Sequence, residues 1–306
     1  MSAKTTVNLM QLPRDSLDLQ TLGALRLRGA DVRKFLQGQL SQDLAQLSPV
    51  HALYAGYHNP QGRAVALMHL VQLAEDDLLA LLPRELVGEL ATRLRRFVLR
   101  AKVQLQDESA DWSVTGLLSA DAAAAPLPQA CGEVARIGAA YLLRLSGPRG
   151  RFLLLSARAA PAALAPAALP ANDWELAAIE AGEPQVYGAT CEEFVAQMLN
   201  LDLLGGIAFD KGCYTGQEVI ARAHYRGRVK RRMQRFLSRA PLVLAPSATG
   251  TLEDGRTFQV VRAATHADGR CEFLAVAPFG AEPAATPVAS GTVAARPLPL
   301  PYALPQ

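Results

Sequence analysis

Alternating and helically spaced apolar positions divide the chain into a mixed series of strands and helices. "GALRLRG" (23–29) alternates as a strand. In "ADVRKFLQGQLSQDL" (30–44) Val32, Phe35 and Leu36 share one helical face, with Asp31 as N-cap and Gly38 where the helix ends or bends. Between 51 and 83, three apolar runs are punctuated by Asn59-Pro60-Gln61-Gly62 and Glu75-Asp76-Asp77, the pattern of a β-meander. Leu86, Leu90, Leu94 and Phe97 then recur at helical spacing, before Val103 and Leu105 return to strand character. This order predicts an α+β fold.

Ala/Pro-rich segments at 121–130 and 157–171 join elements, and no internal repeat is present. From 236 onward, short apolar runs are separated by Asp254-Gly255 and Asp268-Gly269, dipeptides suited to tight hairpins, so a small β-barrel or sandwich is expected there. The expected organisation is residues 1–235 as two α+β lobes, near 1–112 and 113–235 and not necessarily continuous, followed by a domain at 236–306.

Composition narrows the function. Half of the 306 residues are hydrophobic, enough for more than one core. No run of about 18 apolar residues suggests a membrane span, and the first twenty residues resemble no targeting segment, so a cytoplasmic location is expected. The formal charge of +3 names no partner. Cys131, Cys191, Cys213 and Cys271 form no CxxC pair, and the five histidines do not fall at ligand spacings. Neither a disulfide framework nor a stable metal site is expected, and no nucleotide-binding loop or hydrolase elbow is present.

The chemistry concentrates around "FDKGCYTGQEVIAR" (209–222). Upstream, Thr190-Cys191-Glu192-Glu193 has capping-box spacing, with Phe194, Met198 and Leu199 on an apolar face and Gly205-Gly206 as the stop. Cys191 is then a structural residue at N1. After a short strand at Ile207-Ala208-Phe209, Thr215-Gly216-Gln217-Glu218 repeats the capping-box spacing, with Tyr214 placed to staple onto Val219. Cys213 therefore falls just outside a helix N-terminus. There, unpaired N–H groups, the helix dipole and Lys211 favour a thiolate. A small buried filler explains the same cysteine equally well. Seven Arg or Lys residues between 222 and 235 suit phosphates, carboxylates or nucleic acid, and equally a solvated face.

"KGCYTGQE" (211–218), with "IEAGEPQVYG" (179–188) and "LNLDLLGGIAFDKG" (199–212), resembles the YgfZ-type folate-binding proteins, relatives of the glycine-cleavage T-protein. "FLQGQLSQDL" (35–44) and "YHNPQGRAVALMHL" (57–70) match the same family in order. The resemblance implies a ring-like three-domain protein whose central channel binds tetrahydrofolate, with the cysteine motif facing it. Members support assembly or repair of iron–sulfur enzymes, including those that thiolate tRNA.

Carried onto this chain, the resemblance makes Cys213 the reactive thiol and Lys211 its cation. Gly212 and Gly216 would let backbone approach the ligand, while Tyr214, Thr215, Gln217 and Glu218 complete the motif. Trp174 would stack on the pterin or benzoyl ring, and Leu22 stands where some members carry a second Trp. Arg222, Arg226 and Arg228 would meet the glutamyl carboxylates of folate. The T-protein's catalytic carboxylate has no counterpart: Ala66 and Leu67 occupy the aligned stretch, and no Asp or Glu lies from 62 to 70. Aminomethyl transfer cannot be run from those side chains. The implied partners are folate, iron–sulfur enzymes or their assembly proteins, and tRNA, with no membrane. A tRNA-binding factor with a structural cysteine is the alternative, and a folate-dependent aminomethyltransferase a third reading.

Overall fold

The structure is a computed structural model and describes residues 12–13, 15–119, 127–159, 167–227, 229–279 and 291–305. Arg228, the N-terminal eleven residues, parts of the Ala/Pro-rich segments and residues 280–290 lie outside them. Three sheets carry the fold.

The first sheet has the order β3-β4-β5-β2-β6. It contains β2 (Leu22–Arg28), β3 (Leu53–His58), β4 (Ala64–Ala74), β5 (Asp77–Pro83) and β6 (Gln104–Asp107). The expected meander forms as β3-β4-β5, all antiparallel. Pro83, with no N–H to lose, leads directly into α2 (Arg84–Val98), which buries Leu86, Val87, Leu90, Ala91 and Leu94. Phe97, expected on that face, is 47% exposed instead.

The second sheet has the order β11-β1-β7-β10-β9-β8. Its strands are β1 (Asp15–Asp18), β7 (Trp112–Ser119), β8 (Val134–Ile137), β9 (Ala140–Arg144), β10 (Gly150–Ala157) and β11 (Ala167–Ala168). Helix α3 (Ala171–Glu180) follows. A shared apolar cluster joins the first two sheets, with Val71, Leu79 and Leu81 of one against Val114, Leu143 and Leu153 of the other.

The third sheet runs β16-β13-β14-β15-β12-β17. It comprises β12 (Arg231–Pro241), β13 (Thr249–Leu252), β14 (Thr257–Thr265), β15 (Arg270–Pro278), β16 (Thr292–Val293) and β17 (Ala295–Leu298). Its edge strands β16 and β17 are separated in sequence by Ala294 alone, so the sheet curls into a nearly closed barrel filled by Phe236, Phe258 and Phe273. Gly255 and Gly269 make the two expected hairpin turns at φ +85° and +83°.

Several local expectations are overturned by longer-range pairing. Helix α1 spans only Val32–Gln37, and Asp31 makes no side-chain cap. Its carboxylate accepts the Lys102 N–H at 2.7 Å instead. The capping box at Thr190 does not start a helix: Thr190 closes a 3-10 turn, and its hydroxyl accepts the Tyr187 N–H at 2.9 Å. Cys191 is extended at the end of that turn, not at N1. The chain then runs beside the start of β4, with Glu192 N–H on the Ala64 carbonyl and Ala64 N–H on that of Phe194. Those ladder bonds displace the helix, leaving one 3-10 turn at Ala196–Leu199. Ile207–Phe209 forms no strand; Ala208 N–H is bonded to Ser41.

Candidate functional site

The loop carrying Cys213 is held at both ends. At its start, Lys211 donates to the Leu40 carbonyl at 2.7 Å and the Gln42 carbonyl at 2.8 Å, and its ammonium lies 5.1 Å from the Tyr214 ring centroid. At its end, Gly216 has φ +83°, and a Cβ there would stand 2.5 Å from the Asn59 carbonyl oxygen and 3.1 Å from Gly62 Cα. The Asn-Pro-Gln-Gly and Thr-Gly-Gln-Glu turns thus meet backbone to backbone, which only glycine permits. Between the anchors Tyr214 is buried and Cys213 exposed.

The expected second capping box is absent, because the close approach forces Gly216 itself to be the N-cap of α4 (Gln217–Tyr225), with no side-chain cap bond. Glu218 turns outward and pairs with Arg222 at 2.9 Å. Val219 is 39% exposed, and the nearest neighbour contact for a Cβ on Gly62 is its side chain, so it does not serve as a buried staple for Tyr214. Thr215 and Gln217 are half-buried. Thr215 lines a cleft with Phe97, Arg93 and Arg96 of α2.

Burial pulls the Lys211 ammonium down to about 8, against a smaller opposing pull from Asp43. The two carbonyls and the Tyr214 ring keep the charged form accommodated. Nitrogen NMR of the side chain is expected to give a midpoint near 8, against an ordinary 10.5; a titration at the ordinary value would contradict this burial. The folded value lies below the unfolded one. The charged group therefore costs stability in full below about pH 8, and the cost is relieved as pH rises from 8 toward 10.5.

A cavity of about 380 Å³ lies apart from this loop, where α3 meets the first two sheets. Leu22, Leu81 and Leu153 form an apolar side, and Trp174 closes it. Trp174 fits because β7 has Gly116 beneath it; a Cβ there would come within 2.9 Å of the indole. The Arg151 guanidinium covers the indole at 5.1 Å.

The opposite side is charged. Arg151 donates to Glu183 Oε2 at 3.1 Å, where Ser146 Oγ also donates at 3.0 Å. Arg262 is held by Glu175 through bonds of 2.9 to 3.1 Å. Burial alone would raise the Glu183 carboxyl; Arg151, then His69 and Arg262, outweigh it and hold the group well below the usual carboxylate range. Burial pushes the Tyr187 phenol up to about 12. Glu183 Oε1 faces Arg151 at 3.5 Å, His69 at 3.9 Å and Arg262 at 4.0 Å, and Arg151 Nε is buried without a partner among the described residues.

Trp174 and Leu22 therefore meet at this cavity, whereas Cys213 and Lys211 do not line it. Arg222 of α4 and Arg226, just past its end, are exposed and also stand outside the lining. Other members of the basic run are structural: Arg232 is buried against Asp202 at 2.7 Å, Arg235 meets Glu272 at 2.7 Å, and Arg231 donates to the Thr257 and Val276 carbonyls. Sequence reasoning missed Arg151, Glu183 and Arg262. The available signal was an arginine inside an apolar strand, as in "GRFLLLSA" and "TFQVVRAAT", which requires a buried acidic partner. No group of three or more metal-ligating side chains assembles among the described residues, and none of their helices is long and apolar enough to cross a membrane.

No protein-family model matches the chain. It is 32% identical over 254 residues to the tRNA-modifying protein YgfZ of Edwardsiella ictaluri (strain 93-146), covering 79% of this chain and 76% of that one. It is 31% identical over 241 residues to the tRNA-modifying protein YgfZ of Colwellia psychrerythraea (strain 34H / ATCC BAA-681), covering 75% and 74%. Among solved structures, the glycine cleavage system aminomethyltransferase T from Bartonella henselae superposes with a TM-score of 0.65 over 88% of this chain and 80% of that chain. Their sequence identity of 13% makes this a likeness of fold alone. The fold is that of the aminomethyltransferase, and the sequence relatives place the chain in the YgfZ family.

Proposed function

We propose that the chain is a cytoplasmic, tetrahydrofolate-binding accessory factor for assembly or repair of iron–sulfur enzymes, among them enzymes that modify tRNA. The observation that carries the folate part is the 380 Å³ cavity, within the roughly 300–1,000 Å³ of small-ligand sites. Its leucines and the wall formed by Trp174 suit an apolar ring system, and the charged side carrying Arg151, Glu183 and Arg262 suits the amino and oxo edge of a pterin. The tRNA part rests on the names of the relatives, and the iron–sulfur part on the family resemblance of the motif.

In this reading Cys213 is the reactive thiol, and Lys211, bonded to the Leu40 and Gln42 carbonyls, holds its loop in place. The exposure of Cys213 leaves it open to a partner protein. One thiolate cannot hold a complete cluster, so further ligands would come from that partner. The exposed Arg222 and Arg226 stand outside the cavity lining, and no contact with folate is assigned to them. Aminomethyl transfer stands outside the proposal, because Ala66 and Leu67 are fully buried apolar residues of β4.

Titration with tetrahydrofolate should quench the Trp174 fluorescence saturably. Trp174→Leu should weaken binding about ten-fold while the folded signal is retained, and Cys213→Ser should leave affinity unchanged. The same Cys213→Ser chain should fail to complement a strain lacking the factor. Absence of saturable binding would remove the folate reading; full complementation would remove the thiol.

A further inference from the structure

We propose that the end of α4 is a stacking platform for unpaired bases of RNA. Three rings meet there. Phe209, from the loop before the motif, stacks on His224 with centroids 3.7 Å apart and planes 16° apart. Tyr225 packs edge-to-face with His224 at 4.8 Å and with Phe209 at 6.1 Å. Tyr225 is 64% exposed and His224 is exposed. Phe209 is partly buried against the core, and the stacked pair with a third ring set nearly at right angles leaves the His224 and Tyr225 rings facing solvent.

The charge around the rings selects the partner. Arg226, next to Tyr225 in the chain, is exposed and has no acidic partner among the described residues. Among the described residues Arg222 pairs only with Glu218, and their side chains are 71% and 85% exposed. Such a pair is weak in water and exchanges readily for phosphate. Rings that accept a base, beside cations that accept its phosphates, are the two components of single-strand recognition. A protein interface would need a broader apolar centre, whereas the outward face of α4 adds only the partly exposed Val219. The cleft beside Thr215 is the weaker candidate, because its Arg93 is already engaged by Glu89 and Glu192. The relatives' names point to RNA rather than DNA. The platform lies outside the folate cavity and stands or falls independently of it.

The test uses the full chain and a fluorescein-labelled single-stranded RNA of about ten nucleotides, within the span of known single-strand sites. Anisotropy at low salt should show binding that is weaker for the same RNA as a duplex and for the matching DNA. Tyr225→Ala should lower affinity about ten-fold, and Tyr225→Phe should retain it. Arg226→Gln should reduce the slope of log affinity against log salt by about 1. No binding at low salt, a preference for duplex or for DNA, or an unchanged affinity in Tyr225→Ala would overturn the proposal. Loss of a protein partner in Tyr225→Ala with RNA affinity intact would assign the surface to that protein and overturn it equally.

Discussion

Replacing Arg151 by Met is expected to destabilise the chain by about 3–5 kcal/mol, the range for removing one partner of a buried ion pair. The Arg151 side chain is 1% exposed and that of Glu183 9%, with 3.1 Å between the paired atoms. Arg151 also donates to the Ser146 carbonyl at 3.1 Å and covers the Trp174 indole. Methionine keeps part of the volume against the indole, so the loss reports chiefly on the stranded carboxylate. Urea unfolding followed by tryptophan fluorescence measures it. A loss below about 1 kcal/mol would place the pair with exposed ones and contradict its burial.

The pH dependence gives a second reading of the same pair. In the native chain the Glu183 carboxyl lies below its ordinary 4.5, so its contribution is present above 4.5 and lost as pH falls through the folded value. Without Arg151, the largest charge opposing burial is gone and the carboxyl moves up from its native position, with His69 and Arg262 left to oppose burial. The deficit of Arg151→Met should therefore be largest near neutral pH and shrink as pH falls below 4.5, where the unfolded carboxyl takes up its proton. Arg151→Met combined with Glu183→Leu should recover much of the loss, because no lone charge then remains buried. That double variant should still fail to bind tetrahydrofolate if the proposed edge contacts are real.

Gly216→Ala is the second large effect. A non-glycine residue held at φ +83° carries strain of order 1–3 kcal/mol. The added Cβ would also meet the Asn59 carbonyl at 2.5 Å, a backbone atom that cannot swing away. The Gly216 turn must then separate from the Gly62 turn, moving the Cys213 loop with it. Thermal melting should show the destabilisation, and complementation should fall as it does for Cys213→Ser. Gly212→Ala is the control: no positive φ is imposed there and nothing lies within 4 Å of the added atom, so stability should stay within about 0.5 kcal/mol. Equal melting of the two variants would refute the backbone contact. The two glycines of the motif, which look equivalent in sequence, differ because one is pressed against another turn and the other faces open space.

Elements that satisfy themselves locally were legible. The meander, α2 and the barrel hairpins follow from apolar periodicity and turn residues, because each depends on neighbours close in the chain. The motif was legible as a resemblance, and Trp174 and Leu22 do share a cavity. The capping boxes at Thr190 and Thr215 were misread for one reason. A capping side chain contributes about 1 kcal/mol, and partners distant in sequence can override it. At Glu192 the partner was the Ala64 backbone, and at Gly216 the Asn59 turn. The basic run was misread in part, since Arg232 and Arg235 each found a carboxylate at least 30 residues away.

By itself the sequence determined an α+β chain ending in a small barrel, a family resemblance carried by "KGCYTGQE", and one cysteine set among glycines. The tertiary structure alone decided that Cys213 is exposed on a loop pinned by Lys211 and Gly216, that Trp174 meets Arg151 and Glu183 across a cavity, and that Phe209, His224 and Tyr225 form one surface. Local periodicity specifies which face of an element is buried. Which buried charge meets which, and which rings are left at the surface, depends on contacts between segments far apart in the chain.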